Sequence, residues 1–248
     1  MPVENKKFTG LLNANQLRFL ALMFMLMDHM WATVVSGQMW LTCVGRLAFP
    51  IFAFQISEGF VHTSNFKRYA THLLVFALIS EIPFNLMLGG SPFFPFHQNV
   101  MFTLLLGLLA IRAIDNARKN PGGRSWAKAV LAVIGCLLLG LIGLVDYSAT
   151  GVATVILFYL LRGFRGARIA QLLAMIVLNC YMITGMDIPF HLFGKEMFFP
   201  MQGFAVFSLV FIWLYNGKKG SSNKLIQYGN YAFYPVHMLI LSAIALMR

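Results

Sequence analysis

The sequence predicts an all-α integral membrane protein, a polytopic bundle of about nine transmembrane helices. Hydrophobic residues make up 59% of the 248 residues and charged residues only 11%, whereas a soluble domain is typically about a quarter charged. Apolar runs of about 20 residues recur along the chain, which is the length that crosses the hydrocarbon of a bilayer. These runs are continuous rather than alternating, which argues against a transmembrane β-barrel.

The predicted spans follow one another with short polar or glycine-rich turns between them. Pro121, Gly122 and Gly123 form one such turn, and residues 217–223 form another. Residues 1–16 are a short N-terminal segment, and no internal repeat or appended soluble domain stands out, so we expect 1–248 to be a single domain. The spans are placed at about 17–36, 40–61, 69–88, 99–117, 126–145, 149–162, 167–185, 198–216 and 225–247.

Basic residues are present in every second connection between the predicted spans. They precede the first span and follow the second, fourth, sixth and eighth, whereas the other connections hold none except Lys195. By the positive-inside rule the N-terminus is cytoplasmic and the C-terminus lies outside, as in a multi-pass protein of the bacterial cytoplasmic (inner) membrane. The net charge of +11 therefore marks loops, and we expect no nucleic-acid partner. The three cysteines lie in apolar runs without metal spacing, so we expect no metal.

Several ionisable side chains fall inside these apolar spans. Asp28, His29, Arg46 and Glu81 come to one level in the outer leaflet, about 10 Å below the surface at 1.5 Å per residue, and His237 lies about 15 Å deep. Charged groups at such depth cost several kcal/mol unless they are paired, and they are usually functional. The presence of these ionisable side chains at one depth therefore predicts a functional site in the outer leaflet.

A structural ion pair is the simplest alternative at this level. Arg46 has two candidate partners, Asp28 and Glu81, and either pair would help the first three spans dock. Neighbouring residues on a helix point about 100° apart, so Asp28 and His29 serve different partners, with Asp28 the more structural. Pro50 removes one backbone hydrogen bond and predicts a kink that opens room near Arg46.

A second polar layer lies nearer the cytoplasm. It contains Glu58 and His72, with Gln55 one turn above Glu58. An interfacial histidine without a role explains His72 equally well.

Arg18 and His29 share one face of the first span. They are eleven positions apart, hence about 1100° around the helix and about 16 Å along it. A phosphopantetheine arm spans a distance of this order, so the face suits a long ligand with anionic phosphates at Arg18 and a reactive tip at His29. Snorkelling at the interface is the alternative explanation of Arg18.

Six stretches of the chain, in order along it, match a known family: LALMFMLMDHM, GRLAFPIFAFQISEGFVHT, FALISEIPFNL, NVMFTLLLGLLAI, DYSATGVATVILFYL and YAFYPVHMLIL. With these stretches the chain resembles the TraX family, membrane proteins associated with acetylation of conjugative pilin. The family is similar in turn to integral-membrane acyltransferases that acetylate bacterial polysaccharides and lysosomal heparan sulfate. Those enzymes carry a basic residue, ten intervening residues and a histidine on the first helix, as Arg18 and His29 do, and a tyrosine-rich segment ending in histidine on a late helix.

The resemblance implies transfer of an acetyl group from cytoplasmic acetyl-CoA to an extracytoplasmic acceptor, which is the N-terminal amine of a pilin-like protein or a glycan hydroxyl. His29 is the expected general base, acting on the acceptor directly or through an acetyl-histidine. Arg46, Tyr234 or His237 would face the developing negative oxygen. The cofactor side comprises Arg18, Lys67, Arg68, Arg162 and Arg165, with Glu58 and His72; topology alone also explains most of these cations.

Two other functions fit parts of the pattern. A transporter or channel for a small solute would use the intramembrane charges as a pathway, but the chain has no repeated half of the kind that many transporters have. A non-enzymatic assembly factor for envelope or pilus proteins would leave the shared face of Arg18 and His29 without a purpose. The bilayer is a partner in every case.

Overall fold

Helices dominate the computed structural model, which describes residues 10–183, 185–221 and 223–247, without the side chains of 224–228. The helix α8 continues as a π-helical turn at Val177–Met182, and a 3-10 turn at Met201–Phe207 leads into α9. The helices are α1 Ala14–Thr33, α2 Met39–Gly45, α3 Ala48–His62, α4 Phe66–Gly89, α5 Val100–Lys119, α6 Gly123–Ile142, α7 Ser148–Leu160, α8 Ala167–Ile176, α9 Ser208–Trp213 and α10 Lys224–Leu246.

Five helical segments of the described chain are long and apolar enough to cross a membrane. They are Met39–His62, which joins α2 and α3, Phe66–Gly89, Val100–Lys119, Gly123–Ile142 and Gly229–Leu246. Three shorter apolar helical segments and α1 coincide with the remaining predicted spans. The molecule is therefore a helical membrane protein.

The second predicted span is broken between α2 and α3. Pro50 lies in the first turn of α3, where a missing backbone N–H costs little. Its absent N–H is the one that the carbonyl of Arg46 would accept in a continuous helix, and the break falls at Arg46 and Leu47. The helix is thus interrupted beside Arg46, where Pro50 predicted a kink.

An antiparallel hairpin follows the π-helical turn, where the sequence predicted a plain loop. Its strands are β1, Asp187–Leu192, and β2, Lys195–Pro200. Phe193 and Gly194 form the two-residue turn with positive φ values of 50° and 74°, as tight hairpins require. The eighth span was predicted at about 198–216, and helical structure there begins at Met201.

The helix α1 lies between two apolar clusters. Leu17 and Ala21 pack into a large core with residues of α3, α5, α7 and α9. Leu22 and Met25 belong to a second cluster with residues of α4 and α10. Both faces of α1 are therefore held in place along its length, which fixes the positions of the polar residues it carries.

The residues before α1 pair with the segment that follows α9. Leu12 donates its backbone N–H to Leu214 at 2.8 Å and accepts from Asn216 at 2.8 Å, and Ala14 donates to Lys218 at 2.9 Å. The Asn15 side chain donates to the carbonyl of Ser221 at 2.7 Å. This pairing places the turn at 216–221 beside the first residues of α1.

Candidate functional site

Two histidines from the first and last helices meet inside the bundle. Nδ1 of His29 lies 2.7 Å from Nε2 of His237, and the two rings are nearly parallel, with centroids 4.9 Å apart. His237 is buried, and its Nδ1 lies 2.7 Å from the carbonyl oxygen of Phe233, one turn earlier on α10. The histidine pair joins two helices that are more than 200 residues apart in sequence.

Asp28 turns away from this pair and faces α2. Its Oδ1 accepts from the Arg46 guanidinium at 2.7 Å and from the Thr42 hydroxyl at 2.6 Å, and Thr42 accepts from Arg46 at 2.9 Å. The ion pair between Arg46 and Asp28, one of the two pairs that the sequence left open, is present. Asp28 and His29 serve different helices, as their angular separation predicts.

Close approach of α1 and α2 depends on Gly45. A Cβ at this position would lie 2.4 Å from Cβ of Asp28, well inside van der Waals contact. Glycine therefore lets α2 come near enough for the hydrogen bonds of Asp28 to Thr42 and Arg46.

Glu81 belongs to a separate polar group between α4 and α5. Its Oε2 accepts from the Asn99 side chain at 2.5 Å, while its Oε1 is buried and has no hydrogen-bond partner among the described residues. Beside it, His97 forms an ion pair with Asp146 at 3.5 Å, which raises the pKa of His97 above its usual value. Glu81 is therefore not the partner of Arg46.

An apolar recess runs along α1 toward the histidine pair. Its volume is about 110 Å³, smaller than the roughly 300–1,000 Å³ of pockets that bury a whole drug-sized ligand. Met25 and Tyr234 lie at its end; His29 follows Met25 by one turn, and His237 follows Tyr234 by three residues, so both continue the same helix faces. The lining residues are Arg18, Leu22, Met25, Phe52, Gln55, Ile56, Tyr69, Leu73, Val100, Met101, Leu104, Asn230, Tyr231 and Tyr234.

The opposite end of the recess opens into a wider polar vestibule. The two spaces share Arg18, Gln55, Tyr69 and Tyr231, so they adjoin each other. The vestibule is also lined by Arg68, His72, Lys219, His62 and Glu58, among others. Arg18 donates to the Gln55 carboxamide at 3.4 Å and thus stands at the junction of the vestibule and the recess.

The cations of the vestibule lack carboxylate partners within the described chain. Glu58 is buried and accepts from Arg162 at 2.8 Å, with His62 at 3.5 Å. By contrast, Arg18, Arg68 and Lys219 are in none of the ion pairs between described residues. The vestibule therefore carries an unbalanced positive charge.

Apart from Asp28, Arg46 and Glu81, the predicted site residues divide into three groups. His29 and His237 contact each other outside the lining of the recess, and Tyr234, which lines it, is buried with its ring 6.0 Å from that of His237. Arg18, Arg68, His72 and Glu58 line the vestibule. Arg162 is engaged by Glu58, and Lys67 and Arg165 lie outside the lining.

Several polar lining residues were not selected from the sequence as site residues. Gln55 and Tyr69 border both spaces, and Lys219 borders the vestibule. The signal for Lys219 was its glycine-flanked turn, Gly217 to Gly220, in which both glycines have positive φ. Such a turn presents its central lysines outward, although the sequence alone does not say toward which cavity.

The fold and the site define a class: a polytopic helical membrane protein with a histidine pair between its first and last described helices and a recess bordered by a basic vestibule. The chain belongs to the TraX family, since the family model described as "TraX protein" matches residues 13–245. It is similar to the probable fimbrial assembly protein FimC, serogroup H1, of Dichelobacter nodosus, with 28% identity over 92% of this chain and 94% of that protein. No solved structure matches the chain.

Proposed function

We propose that the protein is an acetyltransferase of the bacterial cytoplasmic membrane that moves the acetyl group of cytoplasmic acetyl-CoA to an extracytoplasmic acceptor. The nine spans predicted from the sequence, with a cytoplasmic N-terminus and an external C-terminus, put Arg18 at the cytoplasmic face and His29 toward the outside. The distribution of lysine and arginine supports this orientation, and the family's link to pilin acetylation supports the activity.

The observation that carries the proposal is a line of side chains along one face of α1. Arg18, Leu22 and Met25 line the recess, and His29 follows after one more turn. Acetyl-CoA has the matching order of groups, with anionic phosphates, an extended pantetheine arm and a thioester tip. The rise from Arg18 to His29 is about 16 Å, comparable with the length of that arm.

The vestibule suits the nucleotide end of the donor. Arg18, Arg68 and Lys219 line it without carboxylate partners among the described residues, so they are available for phosphate oxygens. Charge-assisted hydrogen bonds to phosphate are among the stronger polar contacts in proteins. His72 borders the same space and would contribute a further donor.

The chemistry requires a base at the thioester end. A neutral acceptor amine attacks the thioester carbon, a C–N bond forms and the C–S bond breaks. His29 accepts the proton that the amine loses and returns it to the leaving sulfur, which gives the thiol of CoA. Tyr234 lines the recess and is the proposed donor to the thioester oxygen, because Arg46 is engaged by Asp28.

The acceptor that we place first is the N-terminal amine of a pilin-like protein. The relative from Dichelobacter nodosus is named as a probable fimbrial assembly protein, which supports a pilus-associated protein over a glycan hydroxyl. The same name also favours a second candidate function, a non-enzymatic assembly factor. That function requires neither CoA binding nor His29.

Intact-mass spectrometry of envelope proteins tests the enzyme. We expect envelope protein from cells with the parent chain to carry an acetyl mass that is lost without it and with His29→Ala, because the base is gone. The exposed hairpin residue His191 supplies the matched control, and His191→Ala keeps the acetyl mass. Purified His29→Ala should still bind CoA, which excludes misfolding; acetylation at the parental level by this variant would contradict the assignment.

A further inference from the structure

In the hydrogen bond between the two histidines, a backbone carbonyl determines which ring donates and which accepts. Nδ1 of His237 lies 2.7 Å from the carbonyl oxygen of Phe233. A carbonyl oxygen can only accept, so Nδ1 of His237 carries the proton and donates it. A neutral imidazole has one N–H, and therefore Nε2 of His237 presents a lone pair.

That lone pair faces His29. Nδ1 of His29 lies 2.7 Å from Nε2 of His237, so it must donate, and the lone pair of His29 is left on Nε2. We infer that His237 is a positioning residue that fixes His29 in the Nδ1–H tautomer, with Nε2 as the basic atom. The inference rests on the proposed function for the chemical step, whereas the tautomer follows from the geometry alone.

Packing holds His237 in this orientation. The ring is buried, with 5% of its surface exposed, and it stacks on the Phe233 ring at a centroid distance of 4.9 Å. The His29 ring lies nearly parallel to it, within 8°. Rotation of His237 would break its hydrogen bond to the Phe233 carbonyl and leave a buried N–H without an acceptor, which is energetically unfavourable.

The arrangement also serves the protonated form of His29. When Nε2 takes the proton of the acceptor, Nδ1 still donates to His237, so the imidazolium keeps its partner without any side-chain movement. A donor role for His237 at the thioester oxygen, which the sequence left open, conflicts with this geometry because both of its nitrogens are already engaged.

Two isosteric variants separate positioning from packing. The amide of His237→Gln reaches the position of Nε2, where its oxygen accepts from His29, whereas that of His237→Asn reaches only the position of Nδ1. We expect the glutamine variant to keep transfer within about tenfold of the parent and the asparagine variant to lose about 10²- to 10⁴-fold, the usual range of a general base. Equal losses in the two variants would overturn the inference.

Nitrogen NMR of the ¹⁵N-histidine-labelled protein, assigned with His29→Ala, reads the tautomer without any substrate. The parent should show His29 protonated on Nδ1 and not on Nε2; protonation on Nε2 would overturn the inference even if transfer occurs. A parent with the expected tautomer but no acetyl transfer would support the inference about His237 and contradict the proposed function, so the two failures are distinguishable.

Discussion

Arg18 is the residue at which the vestibule narrows into the recess, and it has no carboxylate partner in the described part of the chain. We expect Arg18→Ala to weaken CoA binding by about 10- to 100-fold, because a hydrogen bond to a charged group contributes about 1.5–3 kcal/mol. Isothermal titration calorimetry of the purified protein with CoA measures the change, and Lys219→Ala should act in the same direction.

Arg165 provides the matched control for Arg18. It is an exposed arginine outside the vestibule lining, so Arg165→Ala should leave the affinity for CoA unchanged. Equal affinity in the parent and in Arg18→Ala would show that Arg18 is an interfacial anchor rather than a phosphate ligand.

Asp28 and Arg46 form the ion pair that docks α2 on α1. Their side chains are 18% and 23% exposed, so removal of one partner leaves a largely desolvated charge. We expect Asp28→Asn to destabilise the protein by about 3 kcal/mol. In the double variant with Arg46→Gln the loss should fall below the sum of the single losses, by a coupling of about 0.5–3 kcal/mol.

Denaturant unfolding of the four proteins in detergent measures this coupling. Strictly additive losses would mean that Asp28 and Arg46 do not stabilise each other in the folded protein. Because Asp28 faces α2 and not His29, Asp28→Asn should retain CoA binding.

Helical periodicity was enough to predict which polar residues of α1 share a face. The spacing of Arg18 and His29 placed them on one face, and the 100° step separated Asp28 from His29. The partner of His29 could not be chosen from local pattern, because His237 reaches it only through the packing of the last helix against the first. The same holds for Lys219, whose turn is positioned by backbone pairing with the residues before α1.

At the level of elements, the loop before α5 is tied to the turn before α7. Gln98 and Val145 form a parallel bridge, and His97 pairs with Asp146 beside it. Leu144, Tyr147 and Ser148 all have positive φ, a conformation that costs non-glycine residues energy. The ion pair and the bridge hold this strained turn in place.

The pair between His97 and Asp146 predicts a pH dependence of stability. Asp146 raises the pKa of His97 in the folded protein. The stabilisation that this ion pair gives the folded state is therefore fully present below the pKa of His97 in the unfolded chain, which is about 6.5. It is lost as the pH rises through the higher folded pKa. The melting temperature should therefore fall more steeply with rising pH in the parent than in His97→Gln.

Thermal unfolding in detergent between about pH 5.5 and about pH 8.5 covers this interval. The variant His191→Gln, on the exposed hairpin, should follow the parental curve. Identical pH dependence in the parent and in His97→Gln would show that the ion pair does not contribute to folding stability.

The elements differ in how far the sequence predicted them. Continuous apolar runs located the long helices, and Pro50 located the break between α2 and α3. The hairpin was missed because its strands lie between two apolar runs and its turn is Phe-Gly rather than the Asn-Gly or Asp-Gly pairs that usually mark such turns. Its cross-strand pairs, such as Phe190 with Met197, become apparent only once the register is known.

For the molecule as a whole, the decisive feature is the central position of α1. One side of α1 packs into the large core and the other contacts α4 and α10, and both the recess and the vestibule border this helix. We propose that a long anionic donor reaches His29 along this face, so that acetyl groups enter on one side of the membrane and leave on the other.

Inverted vesicles from cells that contain the protein test this claim most directly, because their cytoplasmic face is turned outward and their native acceptors are enclosed. Acetyl-CoA labelled in the acetyl group is added outside, and the label is followed in material protected from external protease. The proposal predicts protected label with the parent chain and none with His29→Ala. Label that stays on protease-accessible material, or equal protected label with both proteins, would contradict it.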